Sequence, residues 1–199
     1  GRIKETKNAK ILEVGAGTGA TSDVVISSIR KKGYEDRLGE YCYTDLSSYF
    51  LTMARQRYGE DTTWLKTAHL DINSEEEMSL MARKEKYDLI IAAGVLNNVD
   101  NTVNSLKWLA NCLSDEGRII ISEAVGEALQ MIVSQVFMMK PANDERKESN
   151  QTFLSEDMWK RAFTKAGLSI ETMTPDANHK LNALGQKVFF LKKKVDIIG

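Results

Sequence analysis

Short apolar runs alternate with longer stretches of helical spacing along this chain, and glycine, asparagine and aspartate mark most of the breaks. Lys10-Ile11-Leu12-Glu13-Val14 predicts a first strand that runs into Gly15-Ala16-Gly17-Thr18-Gly19, and Thr21 to Lys32 predicts a helix that stops at Gly33. Glu40 to Thr44 reads as a second strand, Ser47 to Tyr58 as a helix closed by Gly59, Trp64 to Leu70 as a third strand and Glu75 to Lys84 as a third helix. Tyr87-Asp88-Leu89-Ile90-Ile91-Ala92-Ala93 has the composition of a strand buried on both faces. Thr102 to Leu113 predicts a helix and Arg118 to Ser122 a fifth strand. Strands separated by helices imply right-handed crossovers and a parallel sheet covered on both faces, so the fold class is α/β.

After the fifth strand the rhythm changes. Glu127 to Met139 is apolar nearly all round, and Lys140 to Gln151 reads as a polar, charge-mixed loop. Ser155 has the character of an N-cap for a helix running to Ala166 before Gly167. Two last strands, near Ser169 to Met173 and Lys187 to Leu191, are joined by the Pro175 to Gly185 loop alone. So short a connection favours an antiparallel pair at the sheet edge.

The composition narrows the function classes. With 199 residues, 27 basic and 28 acidic side chains, the chain reads as a single domain of formal charge -1. Nucleic-acid or membrane partners draw on a clustered excess of Lys and Arg, so neither is expected. Cys42 and Cys112 stand in apolar stretches without metal-ligand spacing, and with only two histidines no metal is expected. Buried thiols and the absence of a signal-like N-terminus suggest a reducing, cytoplasmic setting. Trp64, Trp108 and Trp159 read as core.

The chemistry-bearing signal is Glu13-Val14-Gly15-Ala16-Gly17-Thr18-Gly19, placed where strand one turns into helix one. In open α/β sheets ligands bind beyond the carboxyl ends of the strands, and glycines there let the backbone approach them. Gly15, Gly17 and Ala20 also satisfy the dinucleotide pattern. Glu13 before the first glycine, with Asp45 and Asp71 at later strand ends, points instead to a nucleoside pocket with an amino-group partner. This segment resembles the first motif, [DE]-x-G-x-G-x-G, of the class I methyltransferases that use S-adenosylmethionine.

The resemblance implies a Rossmann-like fold, a mostly parallel seven-stranded sheet with an antiparallel last strand. It also implies that Gly15, Gly17 and Gly19 line the amino-acid end of the cofactor, with Glu13 counted among the cofactor-binding positions. Asp45 would accept from both ribose hydroxyls, two donors matched to two carboxylate oxygens. Asp71, in His69-Leu70-Asp71-Ile72, would face the adenine amino group, with Ile72 beside it in the same pocket. Helix capping is the alternative role for Asp45 and Asp71.

Tyr43-Thr44-Asp45-Leu46-Ser47, Val95-Leu96-Asn97-Asn98, Phe153-Leu154-Ser155 and Gly185-Gln186-Lys187-Val188-Phe189-Phe190 resemble, in this order, the methyltransferase domains of polyketide synthases and nonribosomal peptide synthetases. Such domains methylate a chain held as a thioester, so an acyl or peptidyl carrier protein and neighbouring synthase domains are the implied partners. Residues 1–199 would be a single methyltransferase core, excised from a larger synthase or a compact variant, without the upstream lid region.

The departure from that pattern is at Asn97. Carbon-methylating members carry His there, paired with a Glu at the end of strand five; Glu123 holds that strand end here, but an amide cannot take a proton. Asn97 can position an acceptor group while Glu123 acts as base or orients another group, and oxygen becomes the favoured methyl acceptor, with carbon second and nitrogen third. A non-catalytic domain is the rival from another class. A polar turn for Asn97 and Asn98, and a surface carboxylate for Glu123, are the structural alternatives. His69 and His179 are weak substitute bases, and the Met-rich Leu129 to Met139 segment could be core or an acceptor channel wall.

Overall fold

A computed structural model describes residues 7–59, 62–127, 132–133, 139 and 141–194. The described strands are β1 (Ala9–Val14), β2 (Leu38–Asp45), β3 (Leu65–His69), β4 (Tyr87–Ala93), β5 (Leu113–Ala124), β6 (Leu168–Thr174) and β7 (Gln186–Lys193). Between them lie α1 (Ala20–Lys31), α2 (Ser48–Tyr58), α3 (Glu75–Lys84), α4 (Thr102–Cys112), α5 (Glu145–Ser149) and α6 (Glu156–Lys165). The sheet order is β3-β2-β1-β4-β5-β7-β6. The first five strands pair in parallel, whereas β7 runs antiparallel to both β5 and β6. This is the α/β sheet with an antiparallel edge that the sequence pattern predicts, in the Rossmann-like arrangement that the resemblance implies. The chain order reverses between β1 and β4, where such sheets place their ligands.

Two apolar clusters hold the layers together. One joins β4, β5 and β7 to α4 and α6 through residues such as Ile90, Leu109, Ile121, Trp159 and Phe189; the other gathers Ile11, Tyr41, Tyr43, Tyr58 and Trp64 with α1 and α2. Trp159 stacks on Phe163 at 5.5 Å between ring centroids, and Phe163 meets Phe189 edge-on at 5.1 Å. All three expected core tryptophans are buried or packed against the core. Cys42 and Cys112 are free and buried, and burial pushes both thiols up to about 11. No helix among the described residues is long and apolar enough to cross a membrane.

Two expectations are corrected. β5 begins at Leu113, not Arg118, because Leu113 pairs with Tyr87 and a register shift absorbs the polar Ser114-Asp115-Glu116 stretch. The Lys140 to Gln151 segment contains the short α5, and its Arg146 is only 2% exposed. The apolar Leu129 to Met139 segment lies almost wholly outside the described residues.

Candidate active site

The turn after β1 is built for close approach. Gly15, Gly17 and Gly19 adopt φ of +59°, +56° and +83°, values that L side chains rarely adopt. A Cβ added at Gly17 would meet nothing nearer than the Gly15 carbonyl at 3.9 Å, so the loop faces open space there. At Gly15 a Cβ would strike Val95 Cγ2 at 2.5 Å, which locks the loop against the segment that follows β4.

The loop's carbonyls are tied down from behind. Tyr43 Oη donates to Gly17 O at 2.6 Å, Arg57 Nη1 to Thr18 O at 2.8 Å and Tyr58 Oη to Gly19 O at 3.3 Å. Asp23 in turn accepts from Tyr58 at 2.8 Å and Arg57 at 3.2 Å. Sequence reasoning missed Tyr43, Arg57 and Tyr58 in this role, since the three residues lie 26 to 39 positions from the carbonyls they hold.

Asp45 ends β2 beside this loop. Its Oδ2 accepts from Gly17 N at 2.9 Å and its Oδ1 from Ser47 N at 2.8 Å. A carboxylate has about four acceptor sites, so each oxygen keeps capacity for a further donor. Asp71 Oδ1 accepts from Asn73 N at 2.8 Å, while the cap of α3 is Ser74, not Asp71. The side chain of Ile72 is packed in the main core cluster. Glu13 is 1% exposed, and its Oε2 accepts from Ser22 Oγ at 2.5 Å and Tyr41 Oη at 2.6 Å, an anchor beneath the glycine turn. Burial raises its carboxyl above the ordinary value, against the two hydroxyl donors.

Asn97 and Glu123 meet at the ends of β4 and β5. Glu123 Oε1 accepts from the N–H groups of Val95 at 2.7 Å and Leu96 at 2.6 Å, and Oε2 accepts from Asn97 Nδ2 at 3.0 Å. Asn97 Nδ2 also donates to Ala124 O at 3.1 Å. Both amide hydrogens are thereby committed, and Asn97 Oδ1, in a residue 1% exposed, is buried without a partner among the described residues. His69 and His179 are exposed and elsewhere: His69 Nδ1 lies 3.4 Å from Glu77, and His179 accepts from Leu181 N at 3.1 Å.

Burial pushes Glu123 up to about 7 from 4.5, despite the donors from Leu96, Val95 and Asn97. The folded state therefore holds this proton more tightly than the unfolded chain, so its contribution favours folding most below pH 4.5 and is lost as pH rises towards 7. At about 1.4 kcal/mol per pH unit, Glu123 is expected to give a fall of about 3 kcal/mol over that interval. Urea unfolding midpoints across the interval check this, and Glu123→Gln should remove that part of the slope.

A family model described as a methyltransferase domain matches residues 12–119. Pyochelin synthetase PchF of Pseudomonas aeruginosa is 30% identical over 187 residues, which is 94% of this chain and 10% of that protein. Polyketide synthase PksR of Bacillus subtilis is 35% identical over 127 residues, 61% of this chain and 5% of that protein. The chain thus spans about a tenth or less of these relatives. Among solved structures, the CurJ carbon methyltransferase superposes with a TM-score of 0.80 at 21% identity, over 96% of this chain and 50% of that one. The trans-methyltransferase CalH in complex with SAH gives 0.75 at 19%, over 96% and 53%. At these identities the likeness is one of fold.

Proposed function

The chain belongs to the methyltransferase domain family, and from that premise we propose that it methylates a hydroxyl of a polyketide or peptide intermediate tethered to a carrier protein, using S-adenosylmethionine. The glycine turn and Asp45 fit that cofactor. Gly17 fronts open space, Asp45 retains acceptor capacity for a pair of vicinal hydroxyls, and Asp71 stands free of helix capping. When bound, S-adenosylmethionine supplies an electrophilic methyl on a sulfonium and leaves as S-adenosylhomocysteine.

The observation that carries the choice of acceptor is the unpaired Oδ1 of Asn97. With both Nδ2 hydrogens held by Glu123 and Ala124, the only atom Asn97 has left for an incoming group is an acceptor, Oδ1, which is buried and is reached only when the side chains covering it move aside. A hydroxyl O–H complements that acceptor; a ketone or enolate oxygen does not. Oδ1 orients the hydroxyl so that an oxygen lone pair faces the methyl, and holds the O–H until the forming bond acidifies it and water takes the proton. Glu123 works here as an orienting group, since Oε1 already accepts two main-chain N–H groups and Oε2 the Asn97 amide. Carbon methylation has no such fit: it must remove an α-proton, and losing an imidazole base costs about 10²- to 10⁴-fold.

The synthases among the relatives support a carrier-protein partner and neighbouring synthase domains. Presenting carrier-bound β-hydroxyacyl and β-ketoacyl chains with methyl-labelled S-adenosylmethionine, and locating the label by mass spectrometry, tests the reading. The methyl is expected on the hydroxyl oxygen. A methyl on the α-carbon overturns the oxygen assignment, and transfer to no hydroxy, keto or amino acceptor favours a non-catalytic domain.

A further inference from the structure

Asn97 is held from two sides, and the second side is a segment that the sequence marks only as a polar loop. Arg146 Nη1 donates to Asn97 O at 2.5 Å and Nη2 to Val99 O at 2.8 Å. Asp144 grips the same guanidinium through Nε at 2.8 Å and Nη2 at 2.8 Å. Its Oδ2 also accepts from Thr102 N at 2.9 Å and Thr102 Oγ1 at 3.0 Å, at the start of α4. Asn143 N donates to Asp100 O at 2.7 Å, and Asn101 Nδ2 to Asn143 O at 3.1 Å. Residues 143–146 therefore pin the 97–102 loop along its length.

The far end of the segment is also latched. Gln151 N donates to Arg146 O at 3.0 Å, and Glu127, three residues past β5, accepts from Thr152 N at 2.7 Å and Phe153 N at 3.0 Å. A buried ion pair is a weak source of stability compared with apolar packing. This one directs its free donors at the two carbonyls that flank Asn98.

We propose that Arg146 is a positioning residue for Asn97: it fixes the Asn97 peptide while Glu123 and Ala124 fix its amide, so that Oδ1 is presented in one direction. The proposal rests on the reading of Asn97 as the group that meets the acceptor. Arginine is needed because its planar fork reaches two carbonyls and a carboxylate together, which an ammonium cannot. The clamp acts on the acceptor side of the site, since neither Arg146 nor Asp144 bonds the glycine turn or Asp45.

The test is Arg146→Lys. Turnover is expected to fall about 10²-fold, the effect of a misplacement of about 1 Å, while the affinity for S-adenosylhomocysteine by calorimetry stays within about twofold because the cofactor pocket is untouched. Independently of activity, the side-chain N–H signals of Asn97 should exchange with solvent about tenfold faster or more, while the Gly17 and Gly19 amides keep their shifts. Unchanged turnover and unchanged Asn97 signals overturn the proposal, as does equal loss of turnover and cofactor affinity. If the wild type transfers no methyl to hydroxyacyl chains, the functional reading fails while the Asn97 signals still decide the positioning role. Should Arg146→Lys not fold, Thr102→Val, which removes one donor to Asp144, is expected to move the same signals less far in the same direction, and its failure to do so also overturns the proposal.

Discussion

Gly15→Ala is expected to destabilise the fold and remove cofactor binding together. The alanine must hold φ near +59°, and its Cβ would sit 2.5 Å from Val95 Cγ2 and 2.9 Å from Val95 Cβ. Left-handed strain costs about 1–2 kcal/mol and overpacking about 1–3 kcal/mol. The sum, about 2–5 kcal/mol, is a large share of the roughly 5–15 kcal/mol that holds a domain folded. For a chain of this size that lowers the melting temperature by about 5–15 °C. Because Val95 precedes Leu96 and Asn97, the clash is relieved only by moving the loop that carries Asn97. Val95→Ala in the same chain should recover only the part due to Cγ2, since the Cβ contact at 2.9 Å and the left-handed strain both remain. Gly17→Ala supplies the contrast, since its Cβ meets open space: it should cost stability by strain alone while lowering cofactor affinity. Thermal melts with and without S-adenosylhomocysteine separate these outcomes.

Glu123→Ala is expected to have the largest effect on the acceptor side. It strands the N–H groups of Val95 and Leu96 and one hydrogen of Asn97 Nδ2. An orphaned buried donor costs about 1–3 kcal/mol, so three of them give a loss of about 3–9 kcal/mol, with turnover down by about 10²-fold or more as Asn97 loses its orientation. Glu123→Gln keeps the shape and separates the two effects. Its carbonyl can still accept from Val95 and Leu96, but its amino group then faces Asn97 Nδ2. The Asn97 amide then loses a partner in either orientation, the substituted side chain if it stays and Ala124 O if it turns over, and turning over puts N–H where Oδ1 stood. The loss of stability should be about 1–3 kcal/mol, smaller than in Glu123→Ala, while transfer to a hydroxyl falls, and steady-state rates beside urea midpoints check both.

Which parts of this were legible in the sequence follows from how local each cause is. The strands up to β4, α1 to α4 and the glycine turn are written in short-range periodicity and in residues that φ alone demands, so their places could be read directly. The start of β5 is not legible because Ser114-Asp115-Glu116-Gly117 has the composition of a turn, while the strand begins at Leu113, which pairs with Tyr87 across a register shift. Asp45 was placed at its strand end, but its bond to Gly17 N is visible only when β1 and β2 lie side by side. Arg146 was hidden within Asn143-Asp144-Glu145-Arg146-Lys147-Glu148, a run with the composition of a solvated loop. Its burial depends on the loop after β4, which chain folding brings to it from 47 to 49 positions away. Glu13 stands next to the glycine motif in sequence, but the donors it meets, Ser22 and Tyr41, lie 9 and 28 positions away and show only in the fold.

S-adenosylmethionine is proposed to bind at the carboxyl ends of β1 and β2, apart from the acceptor-side residue Asn97. Calorimetric titration of S-adenosylhomocysteine into the wild type, Asp45→Ala and Asn97→Ala tests it most directly. Micromolar-range binding is expected in the wild type, a fall of about tenfold or more in Asp45→Ala through the loss of charge-assisted hydrogen bonds of about 1.5–3 kcal/mol, and little change in Asn97→Ala. Binding of NADH with no response to S-adenosylhomocysteine, or equal binding by wild type and Asp45→Ala, would contradict it.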